Sequence, residues 1–375
     1  MVLTPKNGYY VNVVFDEYLR ETAASYLEQG RRVALATITK IVGSSSRPLG
    51  SRMVITEHDQ FFGSVSGGCV EKDVYGQAEP LLNGGAPRLL EYGKVEDPLL
   101  EIGLNCDGRI EVLLEPLTTE LLAMLNREVG SSLVTSYSRE KAGRIAGLEH
   151  RLVPNGDAVA GLGARREADL LKEGLPVSLE REEGVLELYE PRVSPPLLLI
   201  VGAETVGFPL ARLAKSMGYR VVVTDARGTY ARAELFPAAD EVICAWPREL
   251  PEILGTGPEG FGERCYVVSL NHEERFEDDL FRTLMTVPAP RYLGCIGKRK
   301  RQEERELRQE RSGYDLSELP RIHTPIGLDL GGKAPEDIAL SIMAEVHAHR
   351  HGATAEPLTS KSVDRGEPAF FRTPL

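Results

Sequence analysis

Apolar residues first recur at helical spacing: Phe15, Leu19, Ala23, Tyr26 and Leu27 share one face across residues 15–29, and Gly30 follows where a C-terminal cap belongs. The period then changes. Residues 32–42 form a β-branched run, residues 43–50 a loop, residues 53–56 a second strand, and residues 61–65 a third strand after a turn at 58–60. Gly67 and Gly68 break that strand, residues 71–82 return to a helical pattern, and Asn83, Gly84 and Gly85 end it. Residues 109–115 read as a strand, 117–125 as a helix, and 131–190 as a succession of short strands with glycine turns. Residues 1–193 are therefore read as one α+β unit.

Pro191, Pro195 and Pro196 remove backbone donors and restrict the residues before them, so neither a helix nor a central strand continues through this segment. It is read as a domain boundary. Beyond it, residues 197–201, 220–224, 241–244 and 266–270 are short apolar runs, several separated by helical patterns. Such runs are the mark of strands buried on both faces of a parallel, doubly wound sheet. The fold class is α/β: an N-terminal α+β domain, a Rossmann-like domain over residues 194–350, and a tail over 351–375.

Composition narrows the partners. The chain has 375 residues and 42% hydrophobic content, enough for two buried cores, and its 44 Lys and Arg against 56 Asp and Glu give a net charge of −12. That charge repels nucleic acid and anionic membrane surfaces. No apolar run approaches the roughly 20 residues of a membrane-spanning helix. Residues 1–10 show no secretory pattern, so cytoplasm is the expectation. The five cysteines are widely spaced without a Cys-x-x-Cys pair, which argues against a disulfide framework and against structural zinc.

The first candidate site is Gly63-Ser64-Val65-Ser66-Gly67-Gly68-Cys69-Val70-Glu71, small residues between a strand and a helix. Their amides are expected to converge on an oxyanion such as phosphate. Cys69 would lie near the helix start, where the dipole favours a thiolate, and a soft thiolate suits molybdenum better than magnesium or calcium. On physics alone a tight turn with Cys69 filling a packing space is an equal reading.

The loop bearing Gly43, Ser44, Arg47, Pro48 and Gly50, then residues 63–71, then Cys106-Asp107-Gly108-Arg109-Ile110-Glu111 resemble in order and spacing the N-terminal module of the xanthine dehydrogenase accessory (XdhC/CoxI) family. The resemblance extends from about Phe15 to Gly352. It includes Thr324-Pro325-Ile326-Gly327-Leu328-Asp329-Leu330-Gly331-Gly332 and the helical stretch from Pro335 to Glu345. It implies a non-catalytic chaperone that binds molybdenum cofactor, protects it, and assists its sulfuration and insertion into a molybdenum hydroxylase such as xanthine dehydrogenase. Gly67, Gly68, Cys69, Glu71 and Cys106 match the family's cofactor positions, with Cys69 as a molybdenum contact, a sulfur donor as a further partner, and a homodimer as the expected assembly. Cys106 departs from the family's Gly-Cys-Gly-Gly setting, being flanked by Asn105 and Asp107. Glu71 is read either as a first-turn residue favoured by the helix dipole or as a partner for the amino edge of a pterin. Arg47 is read as a bidentate phosphate contact or as a solvated loop arginine.

The second candidate site is Gly202-Ala203-Glu204-Thr205-Val206-Gly207, between an apolar strand and a helix, with Asp225 at the end of the next strand. Glu204 replaces the glycine that lets backbone approach pyrophosphate, and its charge opposes NAD or NADP in the usual pose. The family carries Gly-His where this chain has Glu204 and Thr205. Three readings stay open: a structural domain, a nucleotide in a shifted pose, or a ligand whose cationic group meets Glu204. Gly202, Gly207 and Asp225 are the nucleotide candidates, with Arg227 near a phosphate. His272, in the Asn271-His272 pair at a strand end, is the ligand-facing histidine. Against the chaperone stand two alternatives, an NAD(P)-dependent oxidoreductase with an atypical turn and a non-catalytic scaffold for the hydroxylase.

Overall fold

The computed structural model describes residues 17–57, 60–93, 108–162, 165–181, 184–257, 259–297, 304–305, 308, 315, 317 and 319–360. Phe15, Cys106 and residues 361–375 of the expected tail lie outside the described residues. Two compact units emerge, residues 17–193 and 194–360.

The first unit runs α1 (Glu17–Glu28), β1 (Val33–Val42), β2 (Arg52–Thr56), β3 (Gln60–Gly63), α2 (Glu71–Leu82), β4 (Arg88–Tyr92), β5 (Arg109–Pro116) and α3 (Thr119–Leu125). It continues with β6 (Ser131–Arg139), β7 (Ile145–Pro154), α4 (Asn155–Ala160), α5 (Arg165–Lys172), β8 (Val177–Glu180) and β9 (Val185–Pro191). Helix α1 ends where Gly30 takes a φ of +72° and Arg31 donates back to the Tyr26 carbonyl. Helix α3 is capped by Thr118, whose hydroxyl accepts from the Leu121 amide at 3.0 Å.

The first sheet is antiparallel, in the order β3-β2-β1-β5-β4. Strand alternation sends Ala34, Ala36, Ile38, Met53, Ile55 and Val112 to one face against Val74, Ala78 and Leu81 of α2. Leu35 and Val54 face the other way, against Leu19 and Ala23 of α1 and Leu121 and Leu122 of α3. Leu113 on that face meets Tyr137 and Leu186 of a second sheet, ordered β7-β6-β9-β8. Residues 131–190 thus hold two helices besides the expected strands. The difference is physical: α4 is six residues long and α5 eight, so the few apolar residues they bring to the core, among them Ala158 of α4 and Leu170 and Leu171 of α5, are too short a run for a helical period to repeat.

The second unit runs β10 (Leu197–Val201), α6 (Gly207–Ser216), β11 (Arg220–Thr224), β12 (Glu241–Ile243), α7 (Leu250–Leu254), β13 (Cys265–Ser269), α8 (Glu274–Leu284), β14 (Tyr292–Cys295), β15 (Ile322–His323) and α9 (Pro335–Arg350). Its sheet is parallel throughout, ordered β12-β11-β10-β13-β14-β15, which numbered within the unit is 3-2-1-4-5-6, the Rossmann order. All five residues of β10 are buried, as are those of β13. Helices α6 and α9 cover one face of the sheet and α7 and α8 the other, so the central strands β10, β11, β13 and β14 are buried on both sides. Order reverses between β10 and β13, and the crevice beyond their carboxyl ends is where ligands of such sheets bind.

Among the described residues, no helix is long and apolar enough to cross a membrane. Leu199, fully buried at the middle of β10, reports on this core. Leu199→Ala is expected to destabilise the second unit by about 2–5 kcal/mol, through lost burial and the cavity left behind. Urea unfolding followed by far-UV circular dichroism measures it.

Candidate functional site

The antiparallel register of the first sheet carries its motif segments to one end. Val42 at the end of β1 pairs with Arg109 at the start of β5, Met53 near the start of β2 pairs with Gly63 at the end of β3, and Tyr92 at the end of β4 pairs with Ile110. The 43–51 loop, the 64–70 loop and the segment opening β5 therefore lie side by side. Ser46 ties the first two together by donating its hydroxyl to the Ser66 carbonyl. Gly108 ties in the third: a β-carbon there would sit 1.7 Å from the Ser44 carbonyl oxygen, so only glycine permits the approach. Cys106, two residues earlier, lies outside the described residues.

The amides of the 64–70 loop do converge on an anion, but that anion is the Glu71 carboxylate, folded back from the first turn of α2. Its Oε1 accepts from the Ser64 hydroxyl at 2.5 Å and from the Val65 and Ser66 amides at 3.1 and 2.8 Å. Its Oε2 accepts from the Ser66 hydroxyl at 2.5 Å and from the Gly68 and Val70 amides at 2.9 and 3.2 Å. The remaining donors close on the serines: Gly67 N–H on Ser64 Oγ at 2.8 Å, and the Cys69 and Val70 amides on Ser66 Oγ at 2.9 Å each. Every amide from Val65 to Val70 has an internal acceptor. An external phosphate therefore finds no spare backbone donor in this stretch, which corrects the expectation of a backbone cradle.

Glu71 is 5% exposed. Burial pushes its carboxyl up, but the hydrogen bonds from the Ser64 and Ser66 hydroxyls and the Ser66 backbone outweigh this and hold it at about 2. Gly67 and Gly68 adopt φ of +77° and +116°, left-handed conformations that let the chain turn around the carboxylate. Both are exposed, and Cys69 beside them is half-buried, packed against the α2-side core. Arg47 is half-buried on the neighbouring loop, and among the described residues its guanidinium has no ion-pair partner. Tyr92 donates to Asp73 at 2.7 Å, fastening the end of β4 to α2. The roles of Ser64, Ser66 and Gly108 are not singled out by the sequence pattern. The one available signal is a Ser-x-Ser pair just before the glycines with a glutamate following.

In the second unit, Gly202 has a φ of +109°, and a β-carbon on it would meet Asn271 Oδ1 at 2.9 Å, so the turn after β10 presses against the end of β13. Gly207 opens α6 against Phe236 and Leu270. Asp225 is buried at the end of β11 and Arg227 lies against it. Burial pushes the Asp225 carboxyl up, yet the hydrogen bonds from Arg227 and from the Arg227 and Ala203 amides bring it below its ordinary range. His272 is 60% exposed, with Nε2 3.8 Å from a Glu204 carboxylate oxygen. Farther along, Glu345 accepts from Tyr292 Oη at 2.7 Å, from the Gly327 amide at 2.7 Å and from His323 Nδ1 at 3.1 Å, holding the 324–332 motif on α9. Among the described residues, no group of three or more His, Cys, Asp or Glu side chains is arranged to hold a metal ion.

The Glu71 carboxyl titrates lower in the folded protein, at about 2, than its ordinary value of 4.5. Its stabilisation is thus fully present above pH 4.5 and is lost as the pH falls toward 2. At neutral pH it amounts to about 3 kcal/mol. Glu71→Gln is expected to lower the Tm at pH 7 by about 5–10 °C and to flatten the dependence of Tm on pH below 5. Melting curves from pH 3 to 7 for both proteins check this, and unchanged curves would remove Glu71 from its role.

Two family models match the chain, one described as the XdhC and CoxI family over residues 26–93 and one described as the XdhC Rossmann domain over residues 198–346. A Bacillus subtilis (strain 168) protein, named as a probable subunit of xanthine dehydrogenase, is 26% identical over 323 residues, covering 85% of this chain and 94% of that protein. An Escherichia coli (strain K12) protein named molybdenum cofactor insertion chaperone PaoD is 27% identical over 335 residues, covering 88% of this chain and 86% of that protein. A crystal structure from Bacillus halodurans, described as a xanthine dehydrogenase, matches with a TM-score of 0.64 at 25% identity, over 91% of this chain and 98% of that one. The matches fall on both units and take in the glycine loop of the first and the Rossmann turn of the second. The chain belongs to the XdhC and CoxI family.

Proposed function

We propose that this protein is a maturation chaperone that carries molybdenum cofactor to a molybdenum hydroxylase such as xanthine dehydrogenase. The observation that carries the reading is the Glu71-clamped loop, which holds Gly67, Gly68 and Cys69 at one end of the sheet next to the 43–51 loop and the start of β5. Two relatives support the cargo and the client by their names, one a molybdenum cofactor insertion chaperone and the other a probable part of xanthine dehydrogenase.

In this reading the cofactor is cargo. Cys69 supplies a soft sulfur donor suited to molybdenum, and one thiol rather than a closed ligand cage suits a carrier that must release what it holds. Since the loop amides are spent on Glu71, the phosphate of the cofactor falls to a side chain, and Arg47 on the adjoining loop has the planar donor geometry for it. Glu71 acts by positioning the loop, leaving the pterin to other groups. The resemblance to the family assigns Cys106, outside the described residues, as a second thiol. A sulfur donor that docks during sulfuration, a homodimer that shields the cofactor and a cytoplasmic location complete the proposal. The oxidoreductase alternative is disfavoured by Glu204, at the turn where pyrophosphate would lie. A pure scaffold predicts that Cys69 is dispensable.

The test is co-purification of wild type and Cys69→Ala with molybdenum cofactor, reading molybdenum and pterin per protomer. Near-stoichiometric loading of the wild type and at least about tenfold less in the mutant are expected, a loss of about 1.4 kcal/mol or more. Equal loading would remove Cys69 from the site, and no loading of either protein would favour the scaffold.

A further inference from the structure

The Rossmann unit has the strand order, the turn and the strand-end carboxylate of a dinucleotide site, so the state of that cleft calls for a physical account. In such a cleft the pyrophosphate lies on the turn after the first strand, and the carboxylate ending the second strand accepts the ribose hydroxyls. Here the corresponding groups are the 202–207 turn and Asp225.

An ionised carboxylate offers about four acceptor positions. On Asp225 four donors are already in place. Oδ1 accepts from the Arg227 amide and from Arg227 Nε, each at 2.9 Å, and Oδ2 accepts from the Arg227 Nη2 at 2.8 Å and from the Ala203 amide at 3.0 Å. The guanidinium then reaches across the cleft. Nη2 lies 3.3 Å from Glu204 Oε1 on the turn, and Nη1 lies 3.3 Å from Glu273 Oε1 just before α8. It sits over the Tyr230 ring, 4.1 Å from the centroid, with Phe276 at 5.5 Å. Neutral ribose hydroxyls would have to displace a bidentate, charge-assisted pair, and a pyrophosphate would meet Glu204 in place of a glycine backbone.

We propose that Arg227 is the resident occupant of the nucleotide cleft, and that Arg227 and Glu204 together set its specificity against dinucleotides. Arg227 fills the acceptor positions of the ribose carboxylate, and Glu204 both anchors Arg227 and blocks the phosphate turn. The cleft becomes an internal brace that joins the turns after β10 and β11 to the start of α8. This inference concerns the second unit alone and stands or falls independently of the cofactor reading.

The test uses the full chain and two probes, NADH followed by fluorescence and ADP-ribose followed by calorimetry. Wild type and Glu204→Gly, which keeps the Arg227–Asp225 pair, are expected to show no saturable binding up to about 1 mM. Glu204→Gly combined with Arg227→Met removes one charge of each sign and is expected to bind both probes at least about tenfold more tightly, with a raised Tm in their presence. Should that double variant lose its cooperative melt, Glu204→Gly with Arg227→Lys keeps the cation but gives up the bidentate contact, and measurable binding is again expected. Saturable binding by wild type, binding by Glu204→Gly equal to that of the double variant, or no binding by a folded double variant would each overturn the proposal.

Discussion

Six hydrogen bonds end on the two carboxylate oxygens of Glu71, and the candidate site takes its form from that gathering. A strand cannot pass through six residues of tight turn into a helix without leaving amides unsatisfied, and burying such amides costs about 1–3 kcal/mol each when they find no acceptor. Glu71 solves this locally. Its carboxylate satisfies four amides directly, the two serine hydroxyls it holds satisfy the others, and the left-handed glycines bend the chain around it. Cys69 is then presented from a fixed loop, which keeps down the ordering cost of binding any ligand there.

The same economy recurs in the second unit. Asp225 receives the Ala203 amide and the Arg227 guanidinium, and Glu345 receives Tyr292, His323 and the Gly327 amide. In each case a loop that resembles a ligand cradle by its glycines is closed on a carboxylate of the chain itself. Donor-rich loops thus become rigid braces, and in the proposed chaperone reading recognition of cargo falls to side chains such as Cys69 and Arg47 rather than to backbone amides. A carrier needs such a division, because a preformed ring of unsatisfied amides would bind phosphate of any kind.

How much of this is legible in the sequence depends on the reach of each signal. β10, β11 and β13 are short runs buried on both faces, so contiguous apolar residues flanked by turns suffice, and the Rossmann reading follows. α2 is visible from its apolar spacing and its glycine stop. β15 is not, because two residues carry no period, and α5 is not, because eight residues with Leu170 and Leu171 on the core side give too short a stretch for the period to show. The position of the glycine loop between strand and helix can be read, whereas the destination of its amides cannot. That destination depends on the side chain of Glu71 turning back over residues 64–70, which spacing does not encode. Arg227 reads as a phosphate partner for a similar reason: a pairing between residues two apart leaves no mark in a pattern of helical or strand period.

The central claim is that the loop amides are committed to Glu71, and amide hydrogen exchange across residues 64–71 measures that commitment residue by residue. In the wild type at pH 7 the Val65, Ser66, Gly68 and Val70 amides should exchange far more slowly than an exposed loop allows, and Glu71→Gln should release all four while the core of β1 stays protected. Exchange of these amides at open-loop rates in the wild type, or unchanged protection in Glu71→Gln, would contradict the account.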